Sequence, residues 1–439
     1  MHRRLLSSLP LVCALALTQL TACSSDDPSP RPMSTAGSDA GGSSSNAGSG
    51  GSPAPSAGQS NAGSSQGGSG SGGSQSNAGS AGSAASAGAG TGGGGPGGLA
   101  PVVAAGVRWF GRVDVSNAAE IKLAWSGTGF VGTFTGPSVS VKLKTVGNGE
   151  IYFQPVVDGT PGERFGVGAT EETVEIASGL AAGEHVVELY RETEGKGFGY
   201  SVFSGFAAGA PGTPPAFSGR LIEVIGDSIT AGYGNLGTEN HTGGQADPQG
   251  GCGFTTETES AYVAYGHVAA RAVNADASVL AGSGWGIYSD NGGNMNNVMP
   301  KLFANTLGEQ ATPAWSFAAK PQAVVINLGT NDSSAGNMAA EKFKPAYTAF
   351  VTSIREKYPD ALILFALGSL MYGTDRTNAE QYMNEIIDEL GAAGDTKLKF
   401  LDLGSQDLTS TGCDWHPDVD DDARMAGILA DELKSSLGW

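Results

Sequence analysis

Cysteine is scarce in this chain, four residues in 439, so the fold is not one stapled together by disulfides. Basic residues are also few: 24 Lys and Arg stand against 43 Asp and Glu, a formal net charge of −19. Residues 1–100 carry three charges of each sign, so the whole excess falls on 101–439. An acidic body of that kind argues against binding nucleic acid or an anionic lipid surface. Between Gly41 and Ala100 there is no charge and no aromatic side chain, and 22 Gly and 16 Ser take up 38 of the 60 positions. Such a stretch cannot bury enough apolar surface to offset its ordering entropy, and it reads as disordered linker. What is left, 101–439, is too long for one ordinary core and suits two domains.

No early apolar run is long enough to span a bilayer. Arg3 and Arg4 precede a short one, Leu9 to Leu17, the charged and apolar regions of a secretory signal. It ends in Leu20-Thr21-Ala22-Cys23, which looks like a bacterial lipobox. Residues 1–23 are therefore expected to be a lipoprotein signal ending at a lipidated Cys23, since two or more acyl chains anchor stably where one does not. Residues 24–100 then form a tether, in which Ser-Asn-Ala-Gly recurs at Ser45, Ser60 and Ser76. A flexible chain of about 75 residues spans roughly 45–50 Å. The expected location is an exported bacterial lipoprotein of the outer membrane or cell surface, with the periplasm as the alternative.

Residues 101–215 show no helical stretch. Val139-Ser140-Val141-Lys142-Leu143-Lys144 alternates apolar and polar at period two, as do Thr173 to Ile176 and His185 to Tyr190. Phe130 to Gly136 and Ile151 to Val157 add further strands between Gly-rich turns. This pattern predicts an all-β sandwich or jelly roll, ending at Pro211 to Pro215. From 216 to 439 strands alternate with helices. Strands are expected at 221–225, 277–281, 323–328, 361–367 and 397–401, and helices at 259–273, 339–357, 378–390 and 420–437. Buried apolar strands alternating with helices predict a parallel sheet covered on both faces, with the site beyond the carboxyl ends of the strands.

Three residue groups fall at such ends. The first strand runs into Gly226-Asp227-Ser228-Ile229-Thr230, which presents a serine in the first turn after a strand. It is not a G-x-S-x-G elbow, because Thr230 stands where glycine is needed. Asp227 is expected to hold that turn by hydrogen bonds. The strand at 323–328 runs into Gly329-Thr330-Asn331-Asp332, whose asparagine amide is a candidate donor. Near the end of the sequence stands Asp414-Trp415-His416-Pro417, carrying one of only five histidines. Taken singly, these are also what a helix cap, an Asx-turn and a structural histidine look like.

Together, Ser in GDS, a glycine in a second block, Asn in GxND and a late His resemble the SGNH (GDSL-like) hydrolase superfamily. Val224 to Asn235, Cys413-Asp414-Trp415-His416-Pro417 and, in the first domain, Trp125-Ser126-Gly127-Thr128-Gly129-Phe130 resemble carbohydrate esterase family 2. The resemblance covers nearly all of 105–439 and none of the tether. It implies a three-layer α/β/α SGNH-hydrolase domain with a parallel sheet, preceded by an all-β jelly-roll domain. It implies removal of O-acetyl groups from plant polysaccharides such as xylan or glucomannan, or from their oligosaccharides, with no metal or organic cofactor. A monomer is expected. The rival expectations are a catalytically degenerate carbohydrate-binding lipoprotein and a peptidoglycan or lipid esterase on the same fold.

In this reading Ser228 is the nucleophile and His416 the base that activates it. The oxyanion hole is made by the Ser228 N–H, the Gly284 N–H from Ser283-Gly284-Trp285-Gly286 and the Asn331 side chain. Asp414, two residues before His416 instead of the superfamily's usual three, is expected to orient the imidazole, with a backbone carbonyl as the alternative. Trp285 and Tyr233 are candidates to stack on a sugar ring. Once Cys13 is cleaved and Cys23 lipidated, Cys252 and Cys413 are the two thiols left, in an oxidising compartment. Both belong to loops at the mouth of the site, so a Cys252–Cys413 disulfide is expected there.

Overall fold

The computed structural model describes residues 102–242, 245–246 and 251–439. The signal, Cys23 and the tether lie outside the described residues. Within 102–211 every strand pairs antiparallel, and eleven strands join in one sheet. Those needed below are β1 (Val107–Phe110), β2 (Ile121–Leu123), β3 (Gly129–Val146), β4 (Ile151–Val157), β5 (Glu172–Ser178), β6 (Glu184–Arg191) and β7 (Tyr200–Pro211).

Strand β3 is 18 residues long where two separate strands were expected. Its first part, Gly129 to Thr135, pairs with β6. Beyond Gly136 it pairs with β5 on one side and β7 on the other. Gly136, at φ 134°, lets the strand change course there without ending. Trp109, Phe130, Phe134, Phe153 and Phe203 fill the core that results.

The second domain holds β8 (Leu221–Gly226), β9 (Asp276–Ala281), β10 (Ala323–Asn327), β11 (Leu362–Leu367) and β12 (Leu398–Asp402). They form one parallel sheet in the order β9-β8-β10-β11-β12. Its helices are α1 (Ser228–Ala231), α2 (Tyr265–Ala272), α3 (Thr330–Ser334), α4 (Ala340–Lys357), α5 (Gly373–Ala392) and α6 (Val419–Leu437). The period-two side-chain alternation of the strands divides the core. Ile225, Leu280, Ile326 and Phe365 pack with Phe343, Tyr347 and Phe350 of α4 and Met383 and Ile386 of α5. Ile222, Val224, Val279, Val325 and Leu364 pack with Tyr265 and Ala269 of α2 and Met425 and Leu429 of α6. This is the expected α/β/α sandwich.

The helix expected over 259–273 begins only at Tyr265. The backbone of 259–264 is used to lace other turns. The Ser260 N–H donates to Gly232 O at 3.1 Å, and the Asn235 amide donates to Ser260 O at 3.0 Å.

The two domains share a buried seam. Arg112, fully buried in the strand-rich domain, donates to both carboxylate oxygens of Glu223 on β8 at 3.1 Å. It also donates to the carbonyls of Phe303 and Asn305. Trp125, also fully buried, belongs to the same apolar cluster as Ile225 and Phe365. Such paired donors offset the cost of burying a guanidinium.

Candidate active site

Ser228 is the first residue of α1, directly beyond β8. Asp227 caps that helix, its Oδ1 accepting the Ile229 N–H at 3.1 Å. Gly226 must be glycine, because a Cβ there would sit 2.0 Å from Thr230 Oγ1. Thr230 in turn is tied to the Tyr265 hydroxyl at 2.9 Å. The serine is thus set on a buried strand end, only 6 % exposed.

His416 reaches it from the far end of the chain. Its Nε2 lies 2.8 Å from Ser228 Oγ. Its Nδ1 donates to the Asp414 carbonyl at 3.0 Å, which leaves the Nε2 lone pair facing the serine. Burial lowers the His416 pKa below its ordinary 6.5, favouring the neutral form that can take a proton.

The Asp414 carboxylate was the expected orienting group, and the structure corrects this. Its Oδ2 accepts the Tyr233 hydroxyl at 3.0 Å and the Phe254 N–H at 2.9 Å. The cause is the backbone: Asp414 and Trp415 both adopt left-handed φ, 51° and 64°. That turn aims the Asp414 carbonyl at the ring and sends its side chain outward. Glu239, 4 % exposed, accepts the N–H groups of both residues at 3.2 and 3.3 Å. A carboxylate seated on two successive N–H groups compensates the turn's strain.

A disulfide joins Cys252 to Cys413. The Asp414 N–H also donates to Cys252 O at 3.1 Å. Gly237 packs against the bridge so closely that a Cβ would meet Cys413 Sγ at 2.0 Å. The His416 loop is therefore bonded to the loop that leaves the Ser228 turn.

Tyr233 has a different place from the sugar platform expected of it. His416 lies 4.2 Å from its ring centre, tilted by 32°, and Phe254 lies 4.3 Å away, stacked at 25°. With both rings against it, Tyr233 braces the histidine. Trp285 is likewise 9 % exposed and packs in the α4/α5 core cluster, leaving little of its face for a sugar.

Asn331, 7 % exposed, lies in the first turn of α3 beyond β10. Its amide nitrogen donates to Asp227 Oδ2 at 3.2 Å and to Trp285 O at 3.1 Å. This holds the amide between the serine turn and the turn after β9, where Gly284 sits at φ 79°. Burial, with Asp332 nearby, pushes the Asp227 carboxyl up to about 7. Asp332 clamps the same turn, its two oxygens accepting the N–H groups of Ile287, Tyr288 and Ser289 at 2.8–3.0 Å.

Glu239, Asp332 and Asp422 were not singled out from the sequence. Asp422 of α6 accepts from the Asn235 amide and the Tyr265 N–H, joining α6 to the serine loop. Only Asp332 carried a local signal, as the neighbour of Asn331.

This fold and this pairing define a GDSL-like hydrolase: residues 224–432 match the model of the GDSL-like Lipase/Acylhydrolase family. Residues 109–216 match the model called Carbohydrate esterase 2 N-terminal. A family two carbohydrate esterase from Clostridium thermocellum, solved in complex with cellohexaose, is 37% identical, with a TM-score of 0.70 over 76% of this chain and 100% of that one. The chain belongs to carbohydrate esterase family 2. A cellulase/esterase, CelE, from Acetivibrio thermocellus is 37% identical over 338 residues, 76% of this chain. The match takes in 40% of that protein's length. An acetylxylan esterase / glucomannan deacetylase from Cellvibrio japonicus is 28% identical over 75% of this chain and 90% of its own.

Proposed function

We propose that the protein is an exported serine esterase that removes O-acetyl groups from plant cell-wall polysaccharides, xylan or glucomannan, or from their oligosaccharides. The observation that carries this is the 2.8 Å approach of His416 Nε2 to Ser228 Oγ, with Nδ1 fixed on a carbonyl. In the reaction Ser228 Oγ attacks the acetyl carbonyl carbon while His416 takes its proton. The oxyanion is met by the Ser228 and Gly284 N–H groups and by the Asn331 amide, one of whose two N–H groups turns to it from Asp227 or the Trp285 carbonyl. The bond to the sugar oxygen breaks, and His416 returns the proton to the departing alkoxide. Water, deprotonated by His416, then attacks the acetyl-Ser228 ester and acetate leaves.

The substrate class follows from relatives named as acetylxylan esterases and glucomannan deacetylases, and from the cellohexaose complex of the Clostridium relative. Export and lipidation at Cys23 rest on the sequence motif. Acetate release from acetylated xylan, acetylated glucomannan and acetylated peptidoglycan, by wild type and Ser228→Ala, tests the reading. Release from the plant polymers, abolished in the variant, is expected. Release from peptidoglycan alone transfers the site to the rival substrate, and release surviving in Ser228→Ala removes the mechanism. The cellohexaose complex also suits a second reading, a site that holds a glucan without hydrolysing it. Sugar-chain binding with no acetate release from any polymer would favour that one.

A further inference from the structure

The turn that carries Gly284 is not held by its own domain alone. Glu194 lies in the connection between β6 and β7 of the strand-rich domain and is 2 % exposed. Its Oε2 accepts the Ser283 N–H, one residue before Gly284, at 2.8 Å. Its own N–H donates to Glu259 Oε2 at 3.2 Å. Glu259 is followed by Ser260, whose N–H is bonded to Gly232 O and to Asn235 Oδ1 just beyond α1. One residue of the first domain therefore links the Gly284 turn to the turn that follows Ser228.

The connection that carries Glu194 is stiff. Arg191, fully buried, donates to the carbonyls of Leu123, Thr193, Glu194 and Gly199 and to Ser201 Oγ. The setting is also costly. Burial pushes the carboxyls of Glu192 and Glu194 up to about 7, and raises Glu259 well above its ordinary value. Three carboxyls are buried where an apolar seam would join the domains at less expense. Such placements concentrate at functional sites.

We propose that Glu194 is a positioning residue of the oxyanion hole: by accepting the Ser283 N–H it fixes the Gly284 turn, making the strand-rich domain part of the catalytic apparatus. This rests on the reading of Ser228 and Gly284 given above. A displacement of a donor by about 1 Å costs up to roughly 10² in rate.

The test uses the full chain with p-nitrophenyl acetate as substrate and phenylboronic acid as a probe that forms a tetrahedral adduct on Ser228. Glu194→Met keeps the volume and removes the acceptor. It is expected to lower kcat roughly 10- to 100-fold with KM nearly unchanged, and to weaken the boronate by a similar factor. Glu194→Gln, whose amide oxygen can still accept the Ser283 N–H, is expected to recover most of both. Wild-type kcat in Glu194→Met overturns the inference. So do equal losses in the Met and Gln variants, or a loss of kcat with boronate affinity intact. Should Glu194→Met fail to fold, Glu194→Asp decides: shortened by one methylene, it should lose kcat and boronate affinity together, and wild-type values overturn the inference. Wild type that neither hydrolyses the ester nor binds the boronate removes the underlying reading instead.

Discussion

The two halves of the dyad are held by opposite means. Ser228 sits where the buried end of a strand meets a helix, and β8 is paired on both sides through to Gly226, with Ala281 and with Asn327. Its position follows from sheet geometry, with Tyr265 and Asn331 bonded to the residues on either side of it. His416 belongs to a short turn with two left-handed residues. That turn is fixed by partners far away in sequence: Cys252, 161 residues before Cys413, along with Glu239, Tyr233 and Phe254. The nucleophile is placed by secondary structure and the base by long-range cross-links. The serine side should therefore respond to chemistry-removing changes, and the histidine side to changes that loosen its loop.

The largest effect is expected on the rigid side. Asn331→Ala removes an oxyanion donor and also the link between Asp227 and the Trp285 carbonyl. A fall in kcat of roughly 10²–10³ is expected, with KM changed far less. Steady-state kinetics checks it, and a change confined to KM would reassign Asn331 to ground-state binding.

The pH profile comes next. Only neutral His416 can act as base, and burial lowers its pKa. The value of kcat/KM should therefore rise with pH through an apparent pKa below 6.5 and stay level above it, falling about tenfold per unit on the acid side. Stability should run the other way. Glu192, Glu194 and Asp227 are raised to about 7 and Asp422 to about 8, against an unfolded value near 4. The folded state then holds more protons than the unfolded one between those limits. The contribution of these groups is complete below pH of about 4 and is lost as pH rises through 7 to 8. Thermal melts at pH 5 and pH 8 should show the higher midpoint at pH 5. The reverse order would mean that the buried neutral His267 and His416, which favour folding as pH rises to 6.5, outweigh these carboxyls.

Cys252→Ser loosens only the histidine side. Closing a loop of 161 residues is worth at most about 5 kcal/mol in chain entropy. The melting point should fall, and kcat should drop severalfold because His416 loses its fixed reach to Ser228. Turnover at the wild-type rate after a clear fall in melting point would show that Glu239 and Tyr233 suffice to hold the loop.

How much of this was legible in the sequence divides along the same line. The parallel sheet, the strand end before Ser228 and the turn bearing Asn331 are local patterns of apolar period and turn residues. The expected helix at 259–273 is too long because nothing between Glu259 and Ala264, neither glycine nor proline, marks a stop, yet Ser260 gives its backbone to Gly232 and Asn235. Nothing local marks Glu239 as the seat for a turn at residue 414, or Glu194 as a support for Ser283. Nor does composition show that Asp414 and Trp415 take left-handed φ, and that choice decides whether a carboxylate or a carbonyl faces His416.

The smallest expected effect tests that last point. In a serine triad whose carboxylate holds the imidazole, Asp→Asn costs about 10⁴ in kcat, because the amide favours the wrong tautomer. Here the Asp414 carbonyl holds Nδ1, and its carboxylate only receives the Tyr233 hydroxyl and the Phe254 N–H. An asparagine oxygen can accept both of those bonds. Asp414→Asn should therefore lower kcat by no more than about threefold, the loss coming from two weaker bonds in the brace behind His416. Tyr233→Phe, which removes one of the two, should cost less still. Both variants should keep the wild-type apparent pKa on the acid limb within a few tenths, since the carbonyl that sets the tautomer is untouched. A loss of several orders of magnitude in Asp414→Asn would mean that the side chain turns in to the imidazole during turnover. The histidine side would then carry a triad after all.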